Sequence, residues 1–162
     1  MRLSLKETVD CTETRGARPK DIDGIVDLYC DFFHESEYPS LGLEFSRDRM
    51  RFWVEMAICG GRIPHFIAIG PGAAPIGVLC YGLDHTCSTH PFAFLDKFYV
   101  RPNWRHSGVG RMLLDLALMA AKDDGAVAFR AGLSSGSGAA KNLFKRLGFA
   151  ETPGSILLSR RF

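Results

Sequence analysis

This 162-residue sequence lacks several features, and each absence removes a class of function. There is no Cys-x-x-Cys pair. The five cysteines, Cys11, Cys30, Cys59, Cys80 and Cys87, are odd in number and scattered. A disulfide framework is therefore not expected. In contexts such as Val78-Leu79-Cys80-Tyr81 the cysteines read as small buried hydrophobes, which points to a reducing, cytoplasmic setting. No apolar run is long enough to span a bilayer. The first ten residues alternate charge and carry no apolar core, so no signal segment is expected there. Charge of one sign is scarce too. Lys and Arg number 20 against 18 Asp and Glu, and the net charge of +2 argues for neither nucleic acid nor a membrane surface as partner. It still allows a modest basic patch for an anionic ligand.

What is present is ordinary for a globular chain: 46% hydrophobic and 23% charged residues. The length suits a single domain over residues 1–162 with a sizeable core. A short strand is expected at 11–17 and a helix at 17–35. Pro19 suits the helix's first turn, Asp21 and Asp23 suit its positive end, and Ile22, Ile25, Val26, Tyr29 and Phe33 recur at helical spacing. A second helix is expected at 46–59, with Met50, Trp53 and Ala57 on its core face, stopped by Gly60-Gly61. Strands at 65–70 and 74–83 flank the turn Gly70-Pro71-Gly72-Ala73-Ala74 and read as a hairpin. A polar loop, a strand at 92–100 and a helix at 108–123 follow, with Val109, Met112, Leu113, Leu116 and Ala120 facing the core. A strand at 126–133 leads to a last helix, where Ala140, Leu143, Phe144 and Leu147 face inward and Gly148 takes the C′ position. A closing strand is expected at 155–162. The order β-α-α-β-β-β-α-β-α-β is mixed α/β around one sheet.

The stretch Phe98 to Lys122, FYVRPNWRHSGVGRMLLDLALMAAK, holds the clearest functional signal. A strand opens into a helix through a basic turn with two glycines. The free N–H groups and dipole of such a helix start attract anions, phosphates above all. Gly108 and Gly110 let a ligand approach the backbone, and Arg105, His106 and Arg111 add charge. The turn is neither a G-x-x-x-x-G-K-[ST] loop nor a G-x-G-x-x-G turn. Its form is R-x-x-G-x-G, preceded by V-x-P.

In this context FYVRPNWRHSGVGRMLL resembles the acetyl-CoA-binding motif of the GNAT superfamily of N-acetyltransferases. SGSGAAKNLFKRLGF is similar to that family's last helix and its LGF ending, and RPKDIDGIVDLY to its first strand-to-helix segment. The resemblance implies a mostly antiparallel sheet, flanked by helices and splayed at the cofactor strand. It implies acetyl-CoA as acyl donor. Backbone amides from His106 through Ser107, Gly108, Val109 and Gly110 to Arg111 would hold the pyrophosphate, with Arg105 beside them. Backbone groups of Phe98 and Val100, with Tyr99 between, would bind the pantetheine arm and the acetyl carbonyl. The strand bearing Phe98 would part from the strand at 126–132 to admit the cofactor. Donors aimed at the thioester oxygen would stabilise the charge that develops there.

Acetyl transfer to an amine needs a base, or a water relay, and a proton for the departing thiolate. Many family members carry a Tyr ahead of the x-x-L-G-F ending; this chain has Phe144 there. The Asn often found at the start of that helix corresponds to Ser137. Ser137, Tyr99 or water can stand in as acid, and a thiol of pKa about 8.5 leaves tolerably as the anion. Asp96 is the first candidate base. It lies two residues before Phe98 and four before Val100, so all three are expected on one face; its bland alternative is an ion pair with Lys97 or Arg130, or simple exposure. Glu35 and Glu37 are second candidates. His85, Cys87 and His90 lack a fourth partner nearby in sequence, so no metal is expected; their loop would border the acceptor entrance. The reading is an acetyl-CoA-dependent N-acetyltransferase acting by direct transfer to a small-molecule or peptide amine, without a cysteine acyl-enzyme. No nucleic acid or membrane partner is expected, and a homodimer is left open. The rival is a non-catalytic acyl-CoA-binding module.

Overall fold

The computed structural model of the chain describes residue 11 and residues 13–86, 89–133 and 138–152. The first ten residues, Cys87, Ser137 and the closing strand expected at 155–162 lie outside the described residues. The chain divides into one unit ending at Ala131 and a second beginning at Gly132. The first unit contains β1 (Glu13–Gly16), α1 (Ile22–Glu35), α2 (Arg47–Cys59), β2 (His65–Ile69), β3 (Pro75–Asp84), β4 (Phe92–Val100), α3 (Val109–Asp123) and β5 (Phe129–Arg130); the second contains α4 (Gly138–Arg146).

The sheet order is β1-β2-β3-β4-β5. Pairing is antiparallel from β1 to β4, and β5 joins β4 in parallel. Alternation along β3 divides the core. Val78 and Cys80 belong to a cluster with Ile22, Ile25, Val26, Leu28 and Tyr29 of α1 and Val54 of α2. Gly77 faces the other way, where an added Cβ would lie 3.0 Å from Leu113 and 3.3 Å from Val109 of α3. Small size at Gly77 is therefore what lets α3 lie close to the strand.

The helix ends follow from local chemistry. Ser46 accepts the Arg49 N–H and opens α2. Both α3 and α4 stop on a left-handed glycine with two closing hydrogen bonds. At α4 the Gly148 amide donates to the Lys145 carbonyl and the Phe149 amide to the Phe144 carbonyl, while the two phenylalanine rings meet edge to face at 4.9 Å. This is the Schellman arrangement with its hydrophobic contact.

Three expectations about core faces need correction. On α3 the buried residues are Val109, Leu113, Leu114, Ala117 and Ala121, and Met112 is exposed. The apolar arc of that helix, which includes Met112, Leu116 and Met119, is wider than the stripe that meets β3, so spacing alone could not select the stripe. On α2 the buried residues are Val54 and Ala57, with Met50 and Trp53 only partly covered. Of the cysteines, Cys80 is buried, Cys11 and Cys30 are half-buried, and Cys59 is exposed. The strand expected at 126–133 is also shorter, Phe129–Arg130, because the Ala126 amide is used in closing α3 by donating to Ala121.

Asp21 anchors the start of the fold. It is 8% exposed and accepts two hydrogen bonds from Arg15, at 2.7 and 3.0 Å, and one from the Arg18 amide at 2.7 Å. The Arg15 hydrogen bonds hold its carboxyl below the usual aspartate range, against the opposing effect of burial. Asp21→Ala would remove the acceptor of three hydrogen bonds and leave Arg15 with Glu13 and the Gly16 carbonyl, and is expected to cost about 2 kcal/mol in denaturant unfolding. The sign of the pH effect follows. A depressed folded pKa stabilises the fold above the ordinary value of 3.8, and that contribution is lost as pH falls through the folded value. Asp21→Asn should flatten this acid limb of the stability curve.

Candidate active site

The site grows from the carboxyl end of β4. Arg101 N–H donates to the Ile76 carbonyl, and Tyr99 pairs with Val78 across the antiparallel ladder. Alternation then aims the backbone groups of Phe98 and Val100 away from β3. On that other side, among the described residues, β5 pairs with Ala93 and Phe94. The ladder between β4 and β5 thus ends before Phe98. The described pairing therefore stops short of the positions expected to receive a ligand.

Past Val100 the chain makes a single helical turn, Pro102–Trp104, and reaches α3 through residues 105–108. His106 has φ +64° and Gly108 φ +95°. A Cβ at Gly108 would meet nothing within 4 Å, so its backbone conformation, and not crowding, calls for glycine. Gly108 is the N-cap of α3, and its carbonyl accepts the Met112 amide. The amides of Val109, Gly110 and Arg111 precede that first helical bond and point out of the helix start. Ser107 Oγ donates to the Trp104 carbonyl at 2.6 Å and braces the turn.

Two arginines of the turn do not stand as the sequence suggested. Arg105 is committed: Nε donates to the Val100 carbonyl at 2.8 Å and Nη2 to Glu35 Oε2 at 2.5 Å. Its guanidinium lies 5.5 Å from the centre of the Tyr99 ring. Arg111 lies on the α3 surface, 3.5 Å from Asp115 one turn on. The helix start and its amides, more than these side chains, form the anion-attracting feature.

Asp96 also differs from expectation. Cys80 pairs with Lys97 and Tyr81 with Leu95, so Asp96 is the extra residue of a β-bulge. The bulge interrupts the two-residue alternation and turns Asp96 away from the face of Phe98 and Val100. It lies with Lys97 on the α1–α2 side, where its charge acts on Tyr29, His65 and Cys80. Lys97 Nζ is 3.1 Å from Asp96 Oδ1 and 4.2 Å from the centre of the Trp53 ring. The Asp96 carboxylate remains about one-third exposed, 32%.

Glu35 is a poor base in this setting. Burial alone would raise its pKa, but hydrogen bonds from Tyr99 and Arg105 outweigh burial and leave it below the usual glutamate range. Tyr99 Oη donates to Glu35 Oε1 at 2.5 Å. Burial and the adjacent carboxylate push the Tyr99 phenol well up, so it stays protonated with its proton already engaged. Deeper in the same face, burial pushes the Cys80 thiol up to about 11, which makes it an inert thiol. The sequence reading missed the Glu35–Tyr99–Arg105 contact, which joins residues up to 70 apart in the chain. The one local signal was the matched four-residue spacing of Asp31 and Glu35 with Arg101 and Arg105.

In the second unit Phe144 is 3% exposed, the most buried residue of α4. Phe144→Tyr would place a hydroxyl in a packed apolar setting. It is expected to cost about 1–3 kcal/mol in thermal unfolding without a gain in rate. A faster enzyme with an unchanged melting temperature would contradict this and point to a missing leaving-group acid. Among the described residues no group of three or more His, Cys, Asp or Glu side chains is arranged to hold a metal ion. Among them, too, no helix is long and apolar enough to cross a membrane.

The sequence model of the acetyltransferase (GNAT) family matches residues 22–149. No curated protein matches the chain in sequence. Solved structures agree in fold at low identity. A possible acetyltransferase from Clostridium difficile 630 is 19% identical, with a TM-score of 0.73 over 91% of this chain and 96% of that one. The structure of AAC(6')-Iy in complex with the bisubstrate analog CoA-S-monomethyl-acetylneamine is 20% identical, with a TM-score of 0.75 over 93% and 98% of the two chains. An aminoglycoside antibiotic 6'-N-acetyltransferase from Acinetobacter haemolyticus is 18% identical, with a TM-score of 0.70 over 93% and 99%. The family match over most of the chain, together with a mixed α/β sheet that opens beside a glycine-started helix, makes this chain a member of the GNAT acetyltransferase family.

Proposed function

We propose that this chain, acting as one domain over residues 1–162, transfers an acetyl group from acetyl-CoA to a primary amine. Transfer is direct, within a ternary complex. The observation that carries the reading is the end of the β4–β5 ladder before Phe98, followed at once by the helix start at Gly108. The structure of AAC(6')-Iy with a CoA bisubstrate analog supports the choice of donor.

The roles follow from the chemistry. The amides from His106 to Arg111 hold the donor's pyrophosphate at the positive end of α3. Backbone groups of Phe98 and Val100 bind the pantetheine arm and the acetyl carbonyl, and an amide there stabilises the developing oxyanion. The free amine attacks the thioester carbon; the C–N bond forms, the C–S bond breaks, and the sulfur leaves with its electron pair. Asp96 takes the amine's proton, through water, from the α1–α2 side. Ser137 or water protonates the thiolate. The acceptor is a small molecule or a peptide amine.

The rival reading, a non-catalytic acyl-CoA-binding module, draws on Phe144 standing where a proton donor is usual. Thiol release from acetyl-CoA with a broad panel of amines, read with mass detection of products, separates the two. Amine-dependent thiol release with an acetylated product is expected. Tight acetyl-CoA binding without turnover on any amine would favour the module.

A further inference from the structure

Along α1, Asp23, Asp27, Asp31 and Glu35 recur every four residues, and each meets an arginine. Asp23 contacts Arg51, and Asp27 lies 2.6 Å from Arg47, both on α2. Asp31 lies 3.4 Å from Arg101, and Glu35 2.5 Å from Arg105, both in the turn between β4 and α3. The ridge therefore ties the first half of α1 to its neighbour helix and the second half to the glycine turn. Pairs this exposed contribute little stability each, about 0–1 kcal/mol. The last pair is built differently. Glu35 accepts from Arg105 with one oxygen and from Tyr99 with the other. Arg105 reaches past the pair to the Val100 carbonyl and covers the Tyr99 ring. Three elements meet there: the end of α1, the end of β4 and the lead-in to α3.

We infer that Glu35, Arg105 and Tyr99 form a positioning node that fixes the 101–108 turn relative to β4 and couples the carboxyl end of α1 to the donor site; the coupling to donor binding rests on the acetyl-CoA reading above. Arg105 then acts through Glu35 and Val100, and it is not itself a phosphate ligand. Its Nε–H and one Nη2–H are committed to a carbonyl and a carboxylate, and these two bonds orient the guanidinium toward β4 and α1. The planar fork, not the charge alone, makes both contacts at once. The loop after α1 is held at the same point, so whatever it contacts communicates with the donor turn.

Four variants and a control test this. CoA dissociation constants are measured by calorimetry for Glu35→Gln, Arg105→Gln, their double variant and Arg105→Lys. Each single change to Gln is expected to weaken CoA about tenfold, with the double variant no weaker than either one, as for residues acting as a unit. Arg105→Lys should not restore affinity. Asp27→Asn, at a pair away from the turn, should leave CoA binding unchanged. Additive losses, normal binding in Arg105→Lys, or tighter binding in Glu35→Gln would overturn the node in favour of a direct phosphate contact. A second arm needs no CoA. Hydrogen exchange of the ligand-free protein should be faster at residues 101–111 in both Gln variants, with unchanged exchange in the strands. Unchanged exchange at the turn would overturn the node. A wild type that failed to bind CoA would overturn the donor reading alone, and the exchange arm would still decide the node.

Discussion

Asp96→Asn is expected to lower turnover by roughly two to four powers of ten while CoA binding survives, the range ordinary for loss of a positioned proton acceptor. The bulge sets this expectation. As the extra residue of the β4 ladder, Asp96 is turned to the side covered by α1 and α2, opposite to the face of Phe98 and Val100. On the proposed reading, a base on that side would take its proton, through water, from an amine approaching along α1. The carboxylate is partly exposed and leans on Lys97, whose own charge lies over Trp53. Asn keeps the shape and loses the proton affinity. Steady-state rates with saturating acetyl-CoA and any productive amine check the point. Near-normal turnover in a folded Asn variant would leave Asp96 as the ion-pair partner of Lys97 and nothing more.

Gly108→Val should raise the CoA dissociation constant by at least about tenfold, or 1.4 kcal/mol. At φ +95° a β-branched residue is strongly disfavoured, so the turn must move even though no neighbour crowds the site. Gly110→Asp is the complementary change. A carboxylate in the first turn of α3 suits the helix dipole, so the protein should remain folded. The same charge would oppose the donor's phosphates at the same place. A folded Gly110→Asp variant with unchanged calorimetric CoA binding would mean that the phosphates do not lie at this helix start.

The parts legible in the sequence were those fixed locally. The glycine turn between β4 and α3, the Gly148 helix stop and the β2–β3 hairpin each depend on a few adjacent residues. The family resemblance rested on such segments, and the sheet with its parallel last pair agrees with it. What stayed hidden depends on partners far along the chain. FAFLDKFYV carries no glycine or proline to mark a bulge; Asp96 is displaced because of how β3 pairs across from it. Alternation therefore assigned it to the wrong face. Arg105 reads as a phosphate ligand beside two glycines, and only the packing of α1 against the turn brings Glu35 within 2.5 Å. Met112 reads as part of the core stripe of α3 because the helix's apolar arc, with Leu116 and Met119, is wider than the stripe that meets Gly77 and β3.

On the proposed reading, the end of β4 and the glycine-started helix together hold the acyl donor. Amide hydrogen exchange with and without saturating CoA tests it most directly. Protection on adding CoA is expected at residues 98–100 and 106–111, with β1 and β2 unchanged. Binding of CoA that protects neither segment would contradict the account.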